Sequence, residues 1–402
     1  MITEADIGKI LEKYDQKKLS IGTLGSHSSL NIFKGAKEEG FRTVCVCKEK
    51  DAIMYKKYPL VDDLIIVKDF TELLSEKLQE KLRSLNVILI PHGSFTAYLS
   101  TEELTDSLFV PMFGNRKLLQ WEANRKSQEE WLRQAGLLLP ATFKTPEDID
   151  RLIIAKLPGA KGGRGYFLAN SAKAFHKKFR ELVKRGLLKN EDLPLIHLQE
   201  YALGVNVYPS YFSSIINDDI ELLAMDRRYE SAVDSIGKIP AAEQLEIDVN
   251  PTYTVVGNFP IVLRESLLPE IMRMGDSVHK KAKELAPPGI IGPFCLETVV
   301  TDDLKIFTFE ISARIVAGTN VGIGTSPYAY LKYGENMYMG RRIAKEIKEA
   351  LEKKTQVSCA LTPVRTYSVP PALSSPMLHT RKCKWHRSIS RLYRKLPMSS
   401  AE

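Results

Sequence analysis

Residues 158–167 read Pro-Gly-Ala-Lys-Gly-Gly-Arg-Gly-Tyr-Phe, a glycine-rich segment carrying two cations. It follows a strand-like run, Leu152 to Ala155, that ends in Lys156. Glycines let backbone N–H groups approach an anion closely, and Lys and Arg neutralise it. Far downstream, Glu297 and Glu310 each close a β-like run, Pro293 to Glu297 and Ile306 to Glu310. The sequence Val-Val-Thr-Asp-Asp-Leu-Lys between them has hairpin-turn composition. Adjacent antiparallel strands would bring both carboxylates to one place. Paired hard oxygen ligands suit Mg²⁺ held together with substrate phosphates. A phosphate loop plus a two-glutamate metal site points to an ATP-dependent enzyme.

The elements that must position these groups follow from length and pattern. The 402 residues suffice for two to four domains. The formal charge of +8 is not spread evenly: residues 352–402 hold ten Lys/Arg against two Asp/Glu, while 1–351 hold 47 of each sign. An electrically balanced body with local cations suits a small anionic substrate better than a nucleic acid. The cysteines Cys45, Cys47, Cys295, Cys359 and Cys383 are odd in number and form no paired metal-ligand spacing. Cys45 and Cys47 alternate in a strand pattern and are expected to pack as small apolar side chains. No signal-peptide pattern or membrane-length apolar run is present in the sequence, and a cytoplasmic location is expected.

Residues 3–18 predict a polar helix. Leu19 to Leu24 predicts a strand that runs into Gly25-Ser26-His27-Ser28-Ser29, followed by a helix to Gly40 and a strand from Thr43 to Cys47. This is the start of a βαβ pattern with a small-residue loop at the carboxyl end of its first strand. A further strand, Asn86 to Ile90, ends in Pro91-His92-Gly93-Ser94-Phe95. We therefore expect a Rossmann-like α/β domain over 1–123 and an α+β module over 124–203 containing the glycine loop. That module opens with a charged helix from Glu122 to Gly136 and carries another from Ala172 to Arg185. A strand-rich module with the metal site is expected over 204–355, ending in a helix from Gly340 to Leu351. From 356 to 402, Pro, Ser and basic residues dominate and hydrophobic periodicity disappears, which predicts a disordered tail.

Taken in order, the motifs resemble the ATP-grasp superfamily. Within it they resemble the archaeal formate-dependent synthetases of purine biosynthesis, which make 5-formaminoimidazole-4-carboxamide ribonucleotide (FAICAR) from its 5-amino precursor, AICAR. The segments that carry the resemblance are Thr23–Leu30, Pro91–Phe95, Pro111–Asn115, Pro158–Phe167, Met225–Ser231, Gly257-Asn258, Gly292–Glu297 and Phe309–Arg314. They span about 1–352. The resemblance implies an ATP-grasp fold behind an N-terminal Rossmann-like domain, with ATP and Mg²⁺ or Mn²⁺ as cofactors, and formate and AICAR as substrates. It also implies a homotrimer or homohexamer. Lys156 and the loop residues Gly159, Lys161, Gly162, Gly163, Arg164 and Gly165 should contact the ATP phosphates. Glu200 and Tyr201 should hold the adenine edge through backbone groups, and Glu230 should contact ATP. Glu297 and Glu310 should bind the metal, and His27, Ser94 and Asn258 the ribonucleotide. Arg314 is a cation for a phosphate or a transition state.

Single residues have plainer readings. Glu297 alone is compatible with an exposed strand position, whereas Glu310, between Phe309 and Ile311, is expected to be partly buried and to need a partner. His27 could cap a helix or lie on the surface, Ser94 could be a helix N-cap, and Asp226 to Glu230 could be a solvated charged face. Two other functions fit the pattern. One is an ATP-grasp paralogue using another carboxylate and amine. The other is a nucleotide-binding protein tethered to nucleic acid by its basic tail.

Overall fold

The computed structural model describes residues 2–157, 166–231, 233–246 and 254–353. The tail expected over 356–402 lies outside them. Helix α1 (Glu4–Leu11) is capped by Thr3, whose side chain and that of Asp6 satisfy each other's backbone N–H groups. It stops at Leu11, short of the expected Lys18. Strands β1 (Ser20–Leu24), β2 (Arg42–Lys48), β3 (Asp63–Val67) and β4 (Val87–Leu89) form a parallel sheet in the order β3-β2-β1-β4. Helix α2 (Ser29–Glu38) connects β1 to β2. Strand order reverses at β1, so the loops after β1 and β4 face one crevice at the carboxyl edge, where open α/β sheets bind ligands. Cys45 and Cys47 are fully buried on β2, as their alternation predicts.

The single charged helix expected over 122–136 is two helices, α3 (Arg116–Ala123) and α4 (Arg125–Gln134). Asn124 breaks the run. Its backbone is extended and its side chain accepts the N–H groups of Lys126 and Ser127, both at 3.1 Å. A second sheet, antiparallel, consists of β5 (Thr142–Phe143), β6 (Ile153–Lys156), β7 (Tyr166–Ala169) and β8 (His197–Glu200) in the order β5-β8-β6-β7. Helix α5 (Ala172–Lys184) covers it, placing Phe175 and Phe179 one turn apart against Phe167 and Leu198.

The third sheet is antiparallel, in the order β11-β10-β9-β12-β13. Its strands are β9 (Val205–Ser214), β10 (Asp219–Glu230), β11 (Val255–Pro260), β12 (Gly292–Val300) and β13 (Ile306–Ser312). Helix α6 (Leu268–Leu285) crosses one face, where Ile271, Met274, Val278 and Ala282 pack with Tyr211, Leu222 and Trp131. The sequence reading treated this stretch as strand-rich. The spacing of those four residues carries the helical period, but β-rich neighbours on both sides masked it. Helix α4 joins the same core through Trp131, whose indole N–H donates to the Val278 carbonyl at 3.2 Å.

Helix α7 (Met339–Glu352) ties the first sheet to the third. It meets α2 at two glycines. A Cβ at Gly35 would lie 2.1 Å from the Arg341 nitrogen, and one at Gly340 would lie 2.1 Å from the Asn31 carbonyl oxygen. On its other side, buried Arg342 donates through Nε to Glu221 on β10 at 3.0 Å and ion-pairs with Glu346 at 2.8 Å. Glu346 also accepts the Ser214 hydroxyl at 3.0 Å and the Ile216 N–H at 3.1 Å. Removing one partner of a buried ionic network leaves uncompensated charge. Arg342→Met should therefore lower the free energy of unfolding by about 3–5 kcal/mol, measured by chemical denaturation. A loss below about 1 kcal/mol would show that Glu221 and Glu346 do not depend on Arg342.

Candidate active site

Three groups of elements wall a cavity of about 670 Å³: the loops after β1 and β4, the ends of β6 and β8, and the faces of β10, β12 and β13. That volume is ordinary for a small-molecule site. His27, Lys156, Glu200, Tyr201, Glu230, Asn258, Glu297, Glu310 and Arg314 line it together. Gly159, Lys161, Gly162, Gly163, Arg164 and Gly165 lie outside the described residues. The strands flanking them end at the wall, where Lys156 pairs in register with Tyr166 and both residues line the cavity.

Glu297 and Glu310 are direct partners across the antiparallel pair β12–β13, with a register irregularity immediately after Glu297. The expected burial is reversed. Glu297 is the buried residue, while Glu310 presents open surface to the cavity. Ile311 beside it takes the core position. Protein nevertheless crowds around the Glu310 carboxyl, and this enclosure, with Glu297 adding to it, pushes its pKa up to about 7. Like charges directly opposite each other on a sheet are unfavourable. The arrangement calls for a cation, and Arg228 supplies one by pairing with Glu297. The Arg228 guanidinium lies 4.2 Å from the centroid of the Tyr208 ring. Lys156 donates to Gln199 at 2.8 Å, and its pKa is lowered by burial against the opposing pull of Glu310.

The run from Asp226 to Glu230 is not a solvated face. Asp226, Arg228 and Glu230 alternate along β10 and line the cavity, while Arg227 and Tyr229 are exposed. Period-two alternation puts every second residue on one face. That signal was present in the sequence and would have added Asp226 and Arg228 to Glu230. Burial raises Asp226 and Glu230 to about 7 each. At the end of β8, the Glu200 N–H donates to the Ala141 carbonyl at 2.7 Å and the Tyr201 N–H to the Leu152 carbonyl at 2.9 Å. Those two donors are already engaged. The next backbone groups along the wall belong to Ala202, Leu203 and Gly204.

At the first-domain end, His27 has a left-handed backbone, φ 46°. This conformation is uncommon for a non-glycine residue. Its Nδ1 lies 2.9 Å from the hydroxyls of both Ser26 and Ser94. Ser94 is buried and is not the cap of its helix; His92 is, accepting the Ser94 N–H on Nδ1 at 3.2 Å. His92 therefore carries its proton on Nε2 and donates to the Leu24 carbonyl at 2.9 Å. Its ring stacks on that of His27, centroids 5.6 Å apart. Gly93 allows close approach here, since a Cβ would lie 3.2 Å from the His27 ring and 3.7 Å from the Arg314 guanidinium carbon. Arg314 is anchored by Glu122 at 2.9 Å, and Glu122 also accepts the Ala313 N–H at 2.7 Å. Neither Glu122 nor His92 was identified from sequence. Both support lining residues from behind; His92 lies inside the Pro91–Phe95 motif, whereas Glu122 belongs to none.

Burial holds His92 at about 3, against an ordinary histidine value of 6.5. Between those values the unfolded chain binds a proton that the folded chain does not. This contribution is present above pH 6.5 and is lost as pH falls toward 3. His92→Gln keeps a neutral donor and acceptor but cannot be protonated. Unfolding free energies from urea titrations should fall less steeply on acidification in this variant than in the native chain. Equal slopes would remove His92 as a source of acid sensitivity.

Residues 21–143 match a family described as a protein of unknown function (DUF1246), and residues 174–358 match a domain of unknown function (DUF1297). The chain is 53% identical over 344 residues to the 5-formaminoimidazole-4-carboxamide-1-(β)-D-ribofuranosyl 5′-monophosphate synthetase of Archaeoglobus fulgidus, covering 86% of this chain and 95% of that one. It is 49% identical over 352 residues to the enzyme of the same name from Methanocaldococcus jannaschii, covering 88% and 98%. Among solved structures, the IMP biosynthesis protein PurP from Thermococcus kodakaraensis superposes with a TM-score of 0.66 at 32% identity, covering 84% of this chain and 99% of that one. The N5-carboxyaminoimidazole synthetase of Staphylococcus aureus, complexed with ADP, shares the fold at 16% identity, with a TM-score of 0.55 and coverage of 79% and 77%. The architecture is an ATP-grasp fold preceded by a Rossmann-like domain.

Proposed function

The chain belongs to the archaeal family of 5-formaminoimidazole-4-carboxamide ribonucleotide synthetases, ligases of the ATP-grasp fold, and we propose that it joins formate to AICAR using ATP, without folate. The products are FAICAR, ADP and phosphate. Formate is an inert carboxylate and the AICAR amine is a weak, conjugated nucleophile, so one of them must be activated. Phosphorylation of formate to formyl phosphate creates a leaving group that the amine can displace. The observation that carries this reading is the single cavity itself. It joins a cation-and-carboxylate wall suited to phosphoryl transfer to a wall of neutral hydrogen-bonding side chains.

In this scheme Lys156 and residues 159–165, including Gly159, Lys161, Gly162, Gly163, Arg164 and Gly165, hold the ATP phosphates. Glu230 contacts ATP, and the wall from Glu200 and Tyr201 to Gly204 holds adenine. His27, Ser94 and Asn258 hold the ribonucleotide, and burial, with Arg314 nearby, lowers the pKa of His27 and so favours its neutral form. Arg314, fixed beside His27, serves as the cation on that side. The opposed carboxylates of Glu297 and Glu310 fit a hard divalent cation, Mg²⁺ or Mn²⁺. Such an ion would offset charge on the transferring phosphoryl group. A cytoplasmic site of action goes with a ligase of purine biosynthesis, and no helix among the described residues is long and apolar enough to cross a membrane. The homotrimer or homohexamer implied by the resemblance completes this reading.

Incubation with ATP, Mg²⁺, formate and AICAR should yield the formylated ribonucleotide, identified by mass. Product that forms only with a formyl-folate donor, or not at all, would overturn the reading. Glu310→Gln should lower turnover by about 10²-fold or more. His27→Ala should raise the KM for AICAR while the affinity for ATP changes little. Near-native turnover in the first variant, or equal loss of both ligands in the second, would contradict these roles.

A further inference from the structure

Acyl transfer to an amine requires a proton acceptor. As the AICAR nitrogen bonds to the formyl carbon, the carbon–oxygen bond to phosphate breaks and phosphate leaves with the electron pair. The nitrogen must then lose one proton to become an amide. None of the roles above supplies that acceptor. His27 is given to the ribonucleotide, and its Nδ1 already meets two hydroxyls. Glu297 is paired with Arg228.

We propose that Asp226 is the catalytic base that removes this proton, an inference that rests on the formyl-transfer reading above. Asp226 is only 2% exposed, and the surface it has faces the cavity. No hydrogen bond or close ion pair to a described residue holds its carboxylate, and the cation acting on it from a distance is Arg228. A buried carboxylate without a partner in the protein is costly and is ordinarily satisfied by something bound. Its surroundings are fixed tightly: a Cβ at Gly318 would lie 2.3 Å from Oδ1, so backbone packs directly against the carboxylate.

Position along β10 selects its role. Glu230, Arg228 and Asp226 are spaced at two-residue steps, roughly 6–7 Å each. Asp226 pairs in register with Tyr208 on β9, which lies level with Glu297 on β12, so Asp226 stands in one row with Glu297 and Glu310, while Arg228 and Glu230 lie successively farther along β10. The Asp226 side is the one nearest the first domain. Gly318 lies against Asp226, and that segment continues from Ile315, which forms a parallel bridge to His92 beside His27 and Gly93. Of the three β10 side chains in the cavity, Asp226 is therefore the one beside both the Glu297–Glu310 row and the segment leading to the His27 loop, where the acyl phosphate and the amine would meet.

Asp226→Asn keeps the shape and removes the base. The native fold should tolerate it, since a buried unpaired charge is lost. Formyl phosphate is assayed separately, by trapping with hydroxylamine in the absence of AICAR, with ADP release measured alongside. The expected result is formate-dependent hydroxamate and ADP at close to the native rate, with AICAR formylation reduced by about 10²–10⁴-fold. Equal loss of both reactions in folded Asp226→Asn and Asp226→Ser, or a changed Mg²⁺ requirement, would place Asp226 in phosphoryl transfer and overturn the proposal. Native formylation in either variant would also overturn it. Failure of the native chain to formylate AICAR would instead refute the parent reading.

Discussion

Two carboxylates directly opposite each other on neighbouring strands are the constraint around which this molecule is arranged. The β12–β13 register fixes Glu297 opposite Glu310, because a one-residue slip of β13 would turn its buried residues outward. Everything charged nearby answers to that pair. Arg228 pairs with Glu297, Lys156 approaches from the second sheet, and enclosure raises the pKa of Glu310. A site that concentrates negative charge in this way is unfavourable by itself and well matched to a metal–nucleotide complex.

The carboxylate pair acts on a ribonucleotide only if the first sheet stays in register with the third, and that depends on α7. Two glycines let α7 touch the α2 backbone, and Arg342 locks its opposite face to β10. The α2 helix begins immediately after the His27 loop, and β10 carries Asp226, Arg228 and Glu230. A single helix therefore sets the distance between the substrate-facing loop and the phosphoryl-transfer wall. A 1 Å error in such a distance can cost about 10²-fold in rate. This gives a physical reason for burying a costly ionic network at a place remote from the chemistry.

How much of this was legible in the sequence depended on whether a residue belongs to a local pattern. The parallel first sheet, the loops holding His27 and Ser94 and the hairpin joining Glu297 to Glu310 all follow from short-range alternation and turn composition. The break at Asn124 was missed because capping is decided by one side chain against a strong helical background. Helix α6 was missed although its period is clear, because the surrounding strands biased the assignment. Which glutamate is buried could not be read from its neighbours. Burial of Glu297 comes from β9 on the far side of β12, more than eighty residues earlier in the chain. Glu122 and His92 hold Arg314 and His27 through contacts between segments remote in sequence, and no spacing rule encodes such contacts.

The cavity also explains why phosphorylation and amine attack belong in one enclosure. Formyl phosphate is open to attack by water, so an enzyme that released it between steps would waste ATP. Here no transfer between separate sites is needed. Alternation along β10 presents Glu230, Arg228 and Asp226 to that one cavity. The pleat of one strand thus spaces these three side chains by backbone geometry rather than by flexible loops. Because β10 is hydrogen-bonded on both sides, to β9 and to β11, that spacing is held by the sheet and does not depend on any one side chain.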